Sequence, residues 1–110
     1  MSHFHNTREF TLDTTGEVVS LPNLTDAASD GENPDRVYIS IQNRDTSDKV
    51  RVYVLPKGST SPADTNADYQ ILDAGQQWYE IGDGCPANAI YARADTNTAD
   101  VLVKMADRRK

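Results

Sequence analysis

Residues 36–56 read RVYISIQNRDTSDKVRVYVLP. Val37, Ile39 and Ile41 alternate with Tyr38, Ser40 and Gln42; after a polar stretch at 43–48, Val50, Val52 and Val54 alternate with Arg51 and Tyr53. A period of two carried by β-branched residues marks a strand with one dry face and one wet face. The stretch therefore predicts a β-hairpin, two strands joined through a turn at 43–48. Its dry face needs a second layer to cover it, so this pattern already argues for a layered β fold.

Toward the N-terminus, residues 1–8 (MSHFHNTR) are polar and irregular and predict a flexible arm. Residues 9–13 (EFTLD) predict a short strand, Thr14-Thr15-Gly16 a turn, and 17–21 (EVVSL) a second strand with Val19 and Leu21 on one face, ended by Pro22. Residues 23–35 (NLTDAASDGENPD) are dense in turn formers and predict a long loop, with room for one helical turn that Thr25 caps.

Toward the C-terminus, 56–68 (PKGSTSPADTNAD) predict a second long loop. Residues 69–72 follow as a strand, then a tight turn at 73–76 in which Gly75 is the natural residue for positive φ. The strand at 77–81 (QWYEI) turns inward either Trp78 and Glu80 or Gln77, Tyr79 and Ile81. After the glycine-rich loop 82–86, residues 89–94 form a strand with Ile90, Ala92 and Ala94 on one face. Residues 99–105 form the last, with Val101, Val103 and Met105 inward. Ala92, Ala94 and Ala99 suit a close approach of two layers. No segment shows helical periodicity. Seven or eight short strands, with turn signals about every 8–12 residues, predict an all-β antiparallel sandwich or small barrel. The expected organisation is an arm at 1–8, one β-sandwich domain at 9–106 and a basic tail at 107–110.

One hundred and ten residues suit one domain with a radius of gyration of about 13 Å. Only 37% of residues are hydrophobic and mean hydropathy is -0.65, which fits a thin core with long polar connections. The net charge of -6 repels phosphate backbones and argues against nucleic-acid binding. Cys85 is the single cysteine, so neither an intramolecular disulfide nor a cysteine-based zinc site is expected. No apolar run approaches the roughly 20 residues of a membrane helix, and residues 1–10 lack the apolar segment of a secretion signal. Synthesis in a cytosol is the corresponding expectation.

A further set of pieces runs along the second half: ISIQN at 39–43, VYVLPKGSTSPA at 52–63, Tyr69, the Leu-x-Ala-Gly-Gln-x-Trp turn at 72–78, IYARA at 90–94 and TADVLV at 98–103. In these pieces, over roughly 37–105, the chain resembles capsid decoration (cement) and other accessory virion proteins of tailed bacteriophages. The resemblance implies a small β-sandwich or β-tulip-like module on the outside of an assembled head. It implies a major capsid protein as partner, a homo-oligomer with a trimer favoured, and the capsid exterior as the location. Similar strings occur in phage tail and fibre components, so a carbohydrate-binding or host-adhesion module is the alternative.

A decoration protein needs exposed segments that lie along a lattice. Those are the arm and the two long loops, and the partner-binding candidates are His3, Phe4, His5, Arg8, Lys57, Thr60 and Asp64. His3 and His5, two apart, could ligate a metal, but no third ligand is near in sequence, and exposed arm residues are the preferred reading. Asp26, Asp30, Glu32 and Asp35 crowd one loop and Asp64, Asp68 and Asp73 another; their spacing is not that of a calcium loop, and solvated turn formers account for them. Residues 82–86 (GDGCP) lack the lysine and helix of a phosphate cradle. Cys85 has no base close in sequence and reads as a free thiol rather than a nucleophile. Trp78 with Tyr79, and Tyr38, Tyr53, Tyr69 and Tyr91, could line a sugar-binding face, although a lone tryptophan more often anchors a core. No spacing of serine, histidine and carboxylate argues for catalysis. The expectation is a protein without enzymatic activity, metal or cofactor.

Overall fold

The computed structural model describes residues 3–20, 31–59, 61–62 and 69–108. Among the described residues there are eight strands: β1 (His3–Leu12), β2 (Glu17–Val18), β3 (Arg36–Asn43), β4 (Val50–Val54), β5 (Gln70–Leu72), β6 (Gln77–Ile81), β7 (Ile90–Ala94) and β8 (Ala99–Arg108). The other regular element is a 3-10 turn at Gly82–Gly84. The strands form two four-stranded antiparallel sheets, β1-β8-β3-β6 and β2-β7-β4-β5. The all-β antiparallel sandwich is therefore the observed architecture, with open sheets rather than a closed barrel. The radius of gyration is 13.2 Å.

The pairing differs from the expected hairpin. β3 pairs with β6 and β8, whereas β4 pairs with β5 and β7 in the opposite sheet. The polar stretch after Asn43 is an arch between layers, not a turn within one. The pairs β1·β8, β2·β7, β3·β6 and β4·β5 nest inside one another, which is the double Greek key of a jelly roll. In this jelly roll consecutive strands lie in opposite sheets except β4 and β5, which pair with each other. Turn-forming residues serve an arch as well as a hairpin, and alternation reports a face, not a partner.

The faces themselves follow the alternation. Ile39, Ile41, Val50, Val52, Ile90, Val101, Val103 and Met105 meet in the interior with Leu12, Val19 and Leu72. Ala92, Ala94 and Ala99 are fully buried where the layers approach. On β6 the inward pair is Trp78 and Glu80, since Ile41 faces Trp78 and Ile39 faces Glu80 in the ladder. Trp78 packs against the core. A second, smaller cluster lies on the other face of the β4–β7 sheet, where Tyr53 and Tyr91 are buried with Leu55 and Ala89 and with Val18 and Tyr69 against them.

Two boundaries are corrected. The first strand begins at His3, not Glu9, and pairs with β8 in unbroken register from His3↔Arg108 to Leu12↔Ala99. Residues 3–8, expected as a flexible arm, are thus ladder residues, and Asp107 and Arg108, expected in the tail, pair with Phe4 and His3. An edge strand is held by backbone bonds and shows little apolar alternation. The loop at 23–35 is described from Gly31 onward, and the helical turn expected at Thr25 lies outside the described residues.

Candidate interaction surface

Charged and amide side chains are first spent on holding the ends of the sandwich together. The register of β3 against β8 shifts between Arg36 and Tyr38, a β-bulge at Val37. A bulge re-aims the flanking side chain. Here it sets Arg36 beside Asp107 in the ladder, and the Arg36 residue is only 4% exposed. One terminal nitrogen donates to the carbonyls of Pro86 (2.8 Å) and Asn88 (2.9 Å), the other to those of Gly31 (2.7 Å) and Ser20 (3.4 Å). Burial lowers the Arg36 pKa, while Cys85 and Asp107 act the other way. Ser20 completes the knot, donating to Gly31 O (2.8 Å) and accepting from Ile90 N–H (2.8 Å). Gly31 sits at φ +93, where an added Cβ would lie 2.5 Å from Val18 Cγ1.

At the opposite end Asn43 is fully buried. Its Nδ2 donates to Asp48 O (2.9 Å) and Leu72 O (3.0 Å), and its Oδ1 accepts from Asp45 N–H (2.9 Å). Its backbone accepts from Gly75 N–H and donates to Gln76 O. The Gln-Asn strand end and the Leu-x-Ala-Gly-Gln-x-Trp turn, far apart in sequence, are one joint. Gly75 takes φ +83 in that turn, as expected.

Asp48 locks the same arch to the β7–β8 turn. Its carboxylate accepts from Thr96 Oγ1 (2.8 Å), Asn97 N–H (2.8 Å) and Lys49 N–H (2.9 Å). Burial pushes this carboxyl up, but those donors outweigh it, and its pKa falls below the ordinary 3.8. A depressed carboxylate stabilises the fold above its unfolded pKa and loses that contribution as pH falls through the folded one. Calorimetry should therefore show melting fall below about pH 4, with a shallower acid decline in Asp48→Asn.

The predicted partner-binding residues are scattered. His3, Phe4 and His5 lie in β1, where the backbone is paired. Arg8 is half-buried, its guanidinium 5.6 Å above the Phe10 ring, instead of being free on an arm. Lys57 borders a depression of about 250 Å³ with Glu32, Pro34, Ala87 and Asn88, and the Glu32 carboxylate accepts from Gly58 N–H at 2.5 Å. Thr60 and Asp64 lie outside the described residues, as do Asp26, Asp30 and Asp68. Among the described residues no cluster of three or more histidine, cysteine or acidic side chains could hold a metal ion. Cys85 is a half-buried free thiol, and burial raises its pKa, which disfavours the thiolate. Among the described residues no helix is long and apolar enough to cross a membrane.

The tyrosines divide into two sets. Tyr53 lies 5.3 Å from Tyr69 in a tilted arrangement and edge-on at 6.0 Å to Tyr91, and Arg51 lies 4.6 Å over the Tyr69 ring. These rings cover one another beside an open depression of about 440 Å³ that Arg93 also borders. Tyr79 differs: it is 57% exposed, and Ile81, two residues on and on the same face of β6, is 59% exposed. Beside them on β3 stand Tyr38, opposite Ile81, and Ser40, opposite Tyr79. Tyr79 and Ile81 are the two most exposed large apolar side chains among the described residues, ahead of Val54 and Ile71. Sequence reasoning left the facing of β6 undecided and named Tyr79 only among sugar-face residues, because QWYEI permits either facing.

No family model matches the chain, and no curated protein matches it. Among solved structures it is similar to one described as "Bacillus endospore appendages form a novel family of disulfide-linked pili", with a TM-score of 0.57 and 12% identity over 99% of this chain and 88% of that one. The likeness is one of β-rich fold.

Proposed function

We propose that this chain is a non-enzymatic structural protein of a tailed-bacteriophage virion. In this reading it is a head decoration protein that binds the outer capsid surface as a homo-oligomer and reinforces contacts between coat subunits. The observation that carries the reading is a filled sandwich interior combined with large apolar side chains, Tyr79 and Ile81, displayed on a rigid strand. Exposed apolar surface rimmed by polar residues is surface held for another protein. The buried polar groups, Arg36 and Asn43, are spent on the frame itself. The likeness to an appendage pilus structure supports the wider reading, a β-rich unit of a surface assembly. A pilus and a capsid lattice make the same demand, many copies of a stiff unit whose modest contacts add by avidity. Mass spectrometry of purified virions should find this chain in fixed proportion to the coat protein. Its absence from purified particles would defeat the proposal.

Exposure of Tyr79 also favours the second reading, a host-adhesion module that stacks a sugar on an aromatic side chain. Glycan-array binding that is lost in Tyr79→Ala would support it; a blank array would remove it.

A further inference from the structure

We propose that the free edge of β6 pairs with the β6 of a second copy of this chain, antiparallel about a two-fold axis, joining two four-stranded sheets into one of eight. The inference names a partner for the exposed strip and so rests on the reading of this chain as an assembly unit.

Among the described residues the sandwich has four sheet edges: β1, β6, β2 and β5. Proteins blunt open edges with short strands, charges, prolines or bulges. β2 has two residues and β5 three. β1 carries Arg8 and Glu9. β6 is five residues of QWYEI, without a proline, a basic residue or a register shift against β3.

The backbone of that edge is set for pairing. Asn43 N–H donates to Gln76 O, which fixes the parity of the β3–β6 ladder. In the alternation of an antiparallel pair, the groups of Trp78 and Glu80 then face β3. Those of Gln77, Tyr79 and Ile81 face outward.

A second copy suits this edge on charge. The chain carries a net -6, so two copies meet most easily where acids are few, and β6 holds one, Glu80, on its inward face. On the face of β3 and β6 that holds Tyr79, the residues are Tyr38, Ser40, Gln42, Gln77 and Ile81, none charged. Centring the two-fold on Tyr79 sets it opposite the partner's Tyr79. Gln77 then meets the partner's Ile81, and Glu80 meets the partner's Trp78, so no like charges stand opposite. Aromatic pairs directly across strands are favourable. The contact is isologous and closed, a dimer contact where the sequence resemblance implied a trimer.

The test uses the chain alone, without coat protein, so its failure is separate from absence of the chain from virions. Sedimentation velocity across a concentration series should show a reversible dimer. Amide exchange at Tyr79 should slow as the dimer forms. Tyr79→Pro removes one outward N–H per copy and Tyr79→Lys sets two ammonium groups face to face. Each should raise the dimer Kd about tenfold or more, with melting of the monomer little changed. Tyr79→Lys keeps the test alive should the proline variant not fold. A monomer at every concentration, a dimer with unchanged Kd in Tyr79→Lys, or a dimer whose Tyr79 amide exchanges as fast as in the monomer would each overturn the proposal. A dimer lost in Tyr79→Lys with Tyr79 protected in the wild type would support it.

Discussion

Arg36→Met should lower stability by about 4 kcal/mol and melting by roughly 15–20 °C. The methionine fills much of the same space, so the loss is not chiefly a cavity. It removes the guanidinium donor from the carbonyls of Ser20, Gly31, Pro86 and Asn88 at one end of the sandwich, of which Gly31 O keeps its bond from Ser20 Oγ. Each unsatisfied buried acceptor costs about 1–3 kcal/mol, and water entering from the rim recovers part. Arg36→Lys keeps the charge and should fall between, because one ammonium cannot span acceptors that the planar fork reaches from both sides. Thermal melting followed by circular dichroism measures all three. If Arg36→Met melts within about 3 °C of the parent, the knot contributes little and the loops are held by other contacts.

Asn43→Leu should cost about 2–4 kcal/mol by removing the side-chain hydrogen bonds to Leu72 O, Asp48 O and Asp45 N–H. Asn43→Asp gives a sharper contrast. The carboxylate still accepts from Asp45 N–H, but it sets negative oxygen against two carbonyls. Protonation restores one donor. This variant should therefore gain stability as pH falls from neutral toward about 5, while the parent begins to lose its Asp48 contribution below about 4. Parallel acid profiles for the two would show that Asn43 is not the joint between arch and turn.

How much of this was legible in the sequence depends on what each residue reports. Ile39, Ile41, Val50 and Val52 announce their dry face because both neighbours on the strand are polar or aromatic. The β3–β4 partnership was misread because a strand's alternation is the same whichever strand lies beside it. Asn43, Asp45, Ser47 and Asp48 form an arch with the same side-chain-to-backbone bonds that close a hairpin turn. β1 was cut short because Asn6, Thr7, Arg8 and Glu9 carry no apolar stripe, and its partner β8 supplies the order. Tyr53 was placed on a wet face, which is correct for the sandwich interior, but that face has its own aromatic cover in Tyr69 and Tyr91. Arg36 had no signal at all, since a bulge at Val37 is a property of the pairing. The exposed strip needed the facing of β6, which one contact, Trp78 against the core, decides.

The nested order of the strands also bears on how the chain reaches its shape. β8 comes last of these strands in sequence, yet it lies between β1 and β3 in the first sheet. Until β8 joins, β1 stands apart from the β3–β6 pair, with a gap between them. The layer therefore cannot zip from one side in chain order. Pairings this distant place folding in the slow range of small domains, about milliseconds to seconds.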